Sequence, residues 1–310
     1  MRIVSLLPSA TEIVCAIGLE DELVAVTHEC DWPPSVIGKR VVTRSVHDLA
    51  AVGSREIHDR VTASVHGGSS LYELDEDALA AAAPDLILTQ ELCRVCAVSY
   101  REVNEVARRI DAAITVVSLE PTSIEGILHS ITTVGAMTEV EDAAIDVVER
   151  LRERLGAVEQ RVATRRAAGR QPSRVVALEW LDPPFAVGHW VPEQIRRAGG
   201  WDLLGADGET SRQTTWDAVA DVDPEMLLLM PCGFHLPETV DAWAATEVPP
   251  WVADLPAVRR GSVVALDGSS YFSRPGPRVI DGIELLAEVI DPEGFAGAAP
   301  PSAWLPVEVG

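Results

Sequence analysis

Short apolar runs alternate with helical stretches throughout this chain of 310 residues. The apolar runs that predict β-strands in the first half lie at residues 3–7, 23–27, 86–89 and 114–119. The second half repeats the same order, with predicted strands at 174–179, 226–230 and 262–266 and a closing helix at 278–290. Strands that alternate with helices are typical of α/β domains with parallel sheets. The repeat therefore predicts two such lobes in one chain.

Between the two halves, apolar residues recur at intervals of three and four from Ile124 to Val162, with a break near Thr138. This spacing predicts two helices, and the second, at residues 140–168, ends near Gly169 and joins the lobes. The predicted parts are an N-terminal α/β lobe (1–122), a helical segment (123–170), a C-terminal α/β lobe (171–291) and a tail (292–310) that lies on the surface or is disordered. The predicted fold class is thus α/β: two Rossmann-like lobes with mainly parallel sheets, joined by a single long backbone helix, with a ligand cleft between them.

The composition excludes several classes of partner. The formal net charge is −23, and so acidic a surface repels phosphate backbones, so we expect no nucleic-acid partner. No run approaches the roughly 20 apolar residues that a membrane span needs, so we expect a protein that is not membrane-inserted. A strand is predicted from Ile3, where a signal peptide would otherwise lie. The expected location is cytoplasmic as written, and extracytoplasmic if a leader has been trimmed.

Ligands of open α/β sheets bind outside the carboxyl ends of the strands, so a site is expected in the loops that follow strands. These loops hold four of the five cysteines and three of the seven histidines. At the first of them, Ser9 and Glu12 have the spacing of a capping box, which predicts that Ser9 caps the first helix. Four tryptophans that follow turn signals are predicted to fill the core of the second lobe: Trp201, Trp216, Trp243 and Trp251.

Cys93 and Cys96 form a C-x-x-C motif in the loop after the strand at 86–89. Two thiolates are half of a structural zinc site, and His28 with Cys30, or Cys232 with His235, would complete it if the fold brings them close. Three interpretations stay open: reduced cysteines that shape a ligand loop, contact with a metal ion or cobalt, and a redox pair. The chain contains no G-x-S-x-G elbow, no H-E-x-x-H pair and no Walker loop. We therefore predict a binding protein that is not an enzyme, with a redox role of Cys93 and Cys96 as the alternative.

Four segments carry a family resemblance: residues 5–12, 26–34, 183–185 and 271–278. They resemble the cobalamin-binding type of substrate-binding protein from ABC importers. Residues 90–99 resemble a leaderless subgroup of the same family. The resemblance covers roughly residues 2–290 in the right order. It implies the helical-backbone, class III periplasmic-binding-protein fold, in which a ligand is held between two lobes against aromatic side chains from both.

The resemblance implies non-enzymatic binding of a corrinoid, either for an ABC importer permease or as a cytoplasmic carrier, with no cofactor required. Seven aromatic residues are expected to supply apolar area for the corrin ring: Trp32, Trp180, Phe185, Trp190, Phe234, Tyr271 and Phe272. Pro8 and Ser9, at the first helix N-terminus, are expected to receive amide or phosphate groups. An axial approach to cobalt is open to His28, His189 and His235. The polar residues Glu29, Glu91 and Arg274 complete the predicted set.

The alternative function is binding of a metal ion, haem or an iron-siderophore. Relatives of this fold bind such ligands, and Cys93, Cys96, Cys30 and the loop histidines offer the ligand types that zinc or iron prefers.

Overall fold

A computed structural model describes residues 1–46, 53–66, 71–90 and 100–309. The chain divides into two compact units. Unit 1 consists of Met1–Val52, Asp59–Pro121 and Glu125–Glu149. Unit 2 consists of Gly53–His58, Thr122–Ile124 and Arg150–Gly310.

The sheet of unit 1 has five parallel strands in the order β3-β2-β1-β6-β7, and β4 pairs with β5 in a small antiparallel sheet. These strands are β1 (Ile3–Ser5), β2 (Leu23–Val26), β3 (Arg40–Val41), β4 (Thr43–Ser45), β5 (Tyr72–Leu74), β6 (Leu86–Thr89) and β7 (Thr115–Ser118). The helices are α1 (Pro8–Ala16), α2 (Ser54–His66), α3 (Glu76–Ala82), α4 (Tyr100–Ile110) and α5 (Ile124–Met137), with a 3-10 turn at Pro34–Val36. The first five residues of α2 belong to unit 2. Every residue of β1 and β6 is buried, as parallel strands covered on both faces require.

The sheet of unit 2 is mixed, in the order β11-β9-β8-β12-β13-β14, and β10 pairs with the first part of β8. Its strands are β8 (Ser173–Leu181), β9 (Pro184–Ala186), β10 (Gly200–Asp202), β11 (Arg212–Gln213), β12 (Met226–Leu229), β13 (Val263–Leu266) and β14 (Trp304–Pro306). Its helices, after α6 (Glu141–Ala167), are α7 (Val191–Arg197), α8 (Trp216–Asp221), α9 (Leu236–Ala245), α10 (Pro256–Arg259), α11 (Gly268–Tyr271), α12 (Val279–Ile290) and α13 (Pro292–Phe295), with a 3-10 turn at Pro250–Asp254. The central strands β8, β12 and β13 are parallel, so their carboxyl ends share one edge.

The predicted fold class is confirmed: the chain has two α/β units, each with parallel central strands. The long helix α6 continues from unit 1 into unit 2 at Glu149 and Arg150. Its end is set by Gly169, whose φ of +95° suits the left-handed turn that stops a helix. The break before it lies between Met137 and Glu141, close to the predicted position.

The turn between α5 and α6 makes a testable prediction about two helical glycines. A Cβ added at Gly135 would lie 2.3 Å from the Cβ of Ala144, whereas one added at Gly156 would meet nothing within 4 Å. We expect Gly135→Ala to lower the free energy of unfolding by about 1–3 kcal/mol, because the backbones must separate. We expect Gly156→Ala to raise it by up to about 1 kcal/mol through helix propensity. Urea denaturation of both variants checks the opposite signs, and equal shifts would contradict the close approach.

The expectation that Ser9 caps the first helix is wrong. The N-cap residue is Leu7, and no side chain caps this helix. Pro8 occupies the first helical position, where its fixed φ favours helix and its missing N–H costs nothing. The helix therefore begins before Ser9, which lies inside the first turn and is buried.

The segment after residue 292, expected to lie on the surface or to be disordered, has most of its residues at least partly exposed but also forms a short helix and a strand. Phe295 is buried in α13, and Arg161 lies over its ring at 5.1 Å. The chain then adds β14 antiparallel to β13, with Leu305 opposite Ala265. The Pro, Gly and Ala content of this segment is typical of a tail, and a strand of three residues is too short to show the alternation that would predict it.

The four tryptophans expected in the second core have different environments. Trp216 and Trp243 are buried in it, and Trp251 packs against it partly buried. Trp201 is 62% exposed, so its predicted core position is wrong. It stands on β10, which covers only the amino end of β8.

Candidate functional site

At the carboxyl edge of the unit 1 sheet, His28 is held by its own neighbours. Its Nδ1 lies 2.7 Å from Thr43 Oγ1, and its Nε2 lies 3.2 Å from Glu29 Oε1. The ring also packs against Tyr72 with 5.2 Å between centroids. The Thr43 contact fixes the orientation of the imidazole, whereas the buried Nε2 makes no hydrogen bond within the described residues, although Glu29 lies near it.

The other predicted residues of this edge differ in exposure. Trp32 is 45% exposed. Pro8 opens α1 beside buried Ser9. Cys30 Sγ lies 3.0 Å from Thr11 Oγ1.

Glu91, Cys93 and Cys96 lie outside the described residues, so their predicted roles stay predictions. Among the residues that the structure does describe, no three His, Cys, Asp or Glu side chains cluster so as to hold a metal ion.

The carboxyl edge of the unit 2 sheet gathers aromatic side chains from two strand ends. Trp180 stands near the end of β8, and Phe234 follows β12. Their rings meet edge to face with 5.4 Å between centroids. The indole Nε1 of Trp180 donates to the carbonyls of Ser54 and Asp182, both at 3.2 Å. These bonds fix the partly exposed ring at the edge.

The loops after β12 and β13 are tied together beside these rings. The Ser269 N–H donates to Phe234 O at 2.8 Å. A Cβ added at Gly268 would lie 2.3 Å from Pro231 O, so only glycine allows the two backbones to approach this closely. The close packing gives the edge a fixed shape.

A cluster of His235, Asp267 and Ser270 lies on these tied loops. His235 Nδ1 is 3.2 Å from both carboxylate oxygens of Asp267. Ser270 donates its N–H to Asp267 Oδ1 at 2.7 Å and its hydroxyl to Oδ2 at 2.9 Å. Burial alone would raise the pKa of Asp267, but the hydrogen bonds from His235 and Ser270 hold that pKa below its usual value. Asp267 is therefore an ionised carboxylate that is fixed by Ser270 and hydrogen-bonded to the His235 imidazole.

Three of the predicted contacts lie beneath this surface. Trp190 and Phe272 are 5% and 3% exposed, and the Trp190 Nε1 donates to Phe272 O at 3.1 Å. Arg274 is 7% exposed and donates to Ser269 Oγ at 3.0 Å. In this structure they support the loops and do not present apolar faces or a charge to a ligand.

The remaining predicted residues of unit 2 are partly exposed. Phe185 packs against His58 with 5.7 Å between ring centroids, and Arg278 lies 5.8 Å over the ring of Tyr271. His189 packs against Trp190 and has a φ of +53°, and burial lowers its pKa.

Two carboxyl groups of unit 2, partly buried Glu179 and buried Asp202, have raised pKa values. Burial raises the pKa of Glu179 to about 7, although Ser211 and the Gly188 N–H donate hydrogen bonds to it. Burial also raises the pKa of Asp202 to about 6, against the bonds from four backbone N–H groups. Each carboxyl accepts its hydrogen bonds from other groups of unit 2: Glu179 from Ser211 and Gly188, and Asp202 from backbone N–H groups.

Sequence reasoning did not single out Asp267 or Ser270. The signal was present, because Asp at the end of an apolar strand, three residues before Ser, is typical of a helix N-cap. Their joint contact with His235 depends on β12 and β13 being neighbours in the sheet, which one sequence does not reveal.

The model of one family, described as periplasmic binding protein, matches residues 3–269. The chain belongs to the periplasmic binding protein family. This confirms the resemblance seen in the sequence, and the family consists of non-enzymatic solute-binding proteins that carry ligands rather than cofactors. Within the described residues of this family member, no helix combines the length and apolarity needed to cross a membrane.

Two relatives cover almost the whole chain. It is 25% identical over 299 residues to an uncharacterized ABC transporter substrate-binding lipoprotein of Bacillus subtilis, covering 95% of this chain and 81% of the relative. It is 24% identical over 286 residues to the vitamin B12-binding protein of Vibrio cholerae, covering 91% and 86%.

Solved structures share the fold of this family member. The periplasmic vitamin B12-binding protein of Vibrio cholerae superposes with a TM-score of 0.66 at 22% identity, covering 93% of this chain and 96% of that one. A periplasmic heme-binding protein of Pseudomonas aeruginosa superposes with a TM-score of 0.68 at 20% identity, covering 97% and 95%. The fold therefore accommodates more than one class of ligand.

Proposed function

We propose that this protein binds a corrinoid of the cobalamin type as the solute-binding component of an ABC uptake system. The observation that carries the proposal is the aromatic edge of unit 2, where Trp180 and Phe234 meet beside His235. A flat macrocycle with a central metal needs an apolar contact for the ring and polar groups around it. The relatives named for vitamin B12 binding and for ABC transport support the same conclusion.

The first test is retention of ligand. Purified protein mixed with cyanocobalamin at micromolar concentration should keep the visible spectrum of the corrin through gel filtration. Colour that elutes entirely with the small molecules would overturn the proposal.

Substitution of the edge aromatics should weaken binding without unfolding the protein. We expect Trp180→Ala and Phe234→Ala each to raise the Kd for cyanocobalamin roughly tenfold, because each removes a rigid apolar contact worth about 1.4 kcal/mol. Trp201→Ala is the matched control, since this exposed tryptophan lies opposite Arg174 at the amino end of β8. Isothermal titration calorimetry measures all three, and equal Kd values for all three variants would contradict the assignment of the edge.

Haem is the second candidate ligand, favoured by the fold shared with the heme-binding protein of Pseudomonas aeruginosa. A competition titration separates the two candidates. In this experiment each ligand is titrated into protein that holds the other. If displacement needs much less hemin than cyanocobalamin, haem is the cargo.

A further inference from the structure

The hairpin of β8 and β9 in unit 2 has an aromatic face. Trp180 and Phe185 are directly opposite each other in this hairpin, so their side chains lie on the same side of it. Leu181, the next residue of β8, is fully buried in the core cluster, and successive side chains of a strand point to opposite sides. Trp180 and Phe185 therefore form a partly exposed pair of rings that faces away from this core.

The first turn of α2 lies over this pair of rings. The Ser54 carbonyl accepts the Nε1–H of Trp180 at 3.2 Å, and the ring of His58 lies 5.7 Å from the ring of Phe185, measured between centroids. Ser54 and His58 are four residues apart, so they are neighbours on one face of the helix, about 5–6 Å from each other. This spacing is close to the roughly 4.5–5.5 Å between two opposite residues of a hairpin. One helical turn thus matches one cross-strand pair.

An ion pair holds the turn in this position. Arg55 donates from Nε to Asp182 Oδ2 at 3.1 Å and from Nη2 to Asp182 Oδ1. Asp182 directly follows the last residue of β8, so the pair is at the tip of the hairpin. The side chain of Arg55 is 59% exposed and that of Asp182 is 29% exposed. Ion pairs so open to water are weak and are screened by salt, so this contact can open and close.

We propose that the first turn of α2 makes an autoinhibitory contact, which the Arg55–Asp182 pair holds over Trp180 and Phe185 and which a ring-shaped ligand must displace. The inference rests on the proposed function, in which Trp180 contacts the corrinoid. The ligand and the turn compete for the same side of the hairpin. The apparent Kd is then the intrinsic Kd divided by the fraction of molecules in which this side is uncovered.

Breaking the ion pair should strengthen ligand binding. We expect Arg55→Ala and Asp182→Asn each to lower the Kd for cyanocobalamin about two- to fivefold, through faster association, because an exposed pair shifts an equilibrium by about this factor. The double variant should match the single variants, since all three lack the same pair. Isothermal titration calorimetry measures the Kd, and stopped-flow absorbance measures the association rate. Arg259→Ala is the matched control, because it breaks another exposed pair of unit 2, with Asp254, and should change neither quantity.

Exchanging the two charges gives a sharper test. Asp182→Arg places two like charges side by side and should lower the Kd for cyanocobalamin about tenfold. Adding Arg55→Asp restores opposite charges, so the Kd of this double variant should return to within about twofold of the wild-type value. Raising the salt concentration from about 50 to about 500 mM should lower the wild-type Kd about twofold and leave that of Arg55→Ala unchanged. A double variant that stays as tight as Asp182→Arg would overturn the role of the pair.

The contact also has a readout that needs no ligand. The carbonyls of Ser54 and Asp182 both accept from the Trp180 indole N–H and shield it from solvent. In Arg55→Ala this proton should exchange with solvent about two- to fivefold faster than in the wild type, because the turn spends more time away from the ring. Nuclear magnetic resonance of ¹⁵N-tryptophan-labelled protein measures the exchange, and Trp180→Phe identifies the signal by its loss. Equal exchange rates would contradict a turn held by the pair.

The outcomes separate this inference from the proposed function. If cyanocobalamin binds to none of these proteins, the proposed function fails and the competition for the ligand fails with it. If cyanocobalamin binds to the wild type, and binds equally or more weakly to Arg55→Ala and Asp182→Asn, the turn does not inhibit binding. The inference is then overturned while corrinoid binding stands.

Discussion

Replacing Trp216 or Trp243 by alanine should destabilise unit 2 by about 3–5 kcal/mol each, because each removes a large buried side chain and leaves a cavity. Both rings belong to one core cluster, with 6.0 Å between their centroids. Trp243 also donates from Nε1 to Glu308 O at 2.8 Å, so its loss frees the C-terminal segment as well. Seven of the eight tryptophans lie in unit 2, so tryptophan fluorescence during urea denaturation follows this unit.

Trp201→Ala is the matched control for these two variants. This side chain is 62% exposed, and surface substitutions of this kind change stability by about 0.5 kcal/mol or less. The double variant of Trp216 and Trp243 should show a coupling of about 0.5–1.5 kcal/mol, since the rings are in contact. Losses below about 1 kcal/mol for both single variants would contradict their place in the core.

The second large effect is a pH dependence caused by Glu179. Its pKa is about 7 in the folded protein, against an ordinary value of 4.5, because burial disfavours the charged form. The folded state therefore binds the proton more tightly than the unfolded state does. The resulting stabilisation is complete below about pH 4.5 and is lost as the pH rises through 7, by on the order of 3 kcal/mol in total.

Glu179→Gln removes this titration and keeps an oxygen that accepts from Ser211 and Gly188. We expect the variant and the wild type to be similarly stable near pH 5 and the variant to be more stable by on the order of 3 kcal/mol at pH 8. Asp202 titrates in both proteins and cancels from the difference. Glu153→Gln on the exposed face of α6 should follow the wild type. Parallel stability curves for wild type and Glu179→Gln would refute the buried charge.

The sequence predicts the seven longer or central strands and the long helix after Thr138, because their signals are local. The other seven strands have only two or three residues each, too few to show a pattern. The errors occur where a local signal competes with another. Pro8 starts α1 ahead of the capping signal at Ser9. Trp201 is exposed because its strand, β10, pairs only with the first three residues of β8.

The candidate site was only partly predictable for a related reason. Loops after strands contain the aromatic and imidazole groups, and Trp180, Phe234 and His235 do lie together on one edge. Which side chains contact one another depends on the order of the strands in the sheet, which the sequence does not reveal. Asp267 meets His235 across 32 positions of chain because β12 and β13 are neighbours, and Trp190 is buried because α7 packs beneath the loop of Phe272.

The strands at the two edges of the unit 2 sheet limit its pairing with a second molecule. A long apolar edge strand offers unpaired backbone groups to a second molecule and promotes aggregation. Here the sheet order ends in β11, two exposed residues that include Arg212, and in β14, three residues that close on Pro306. Proline cannot donate to a further strand, and so short an edge gives little to pair with. The apolar strand β13 is thereby shielded from intermolecular β-pairing by the segment that follows α13.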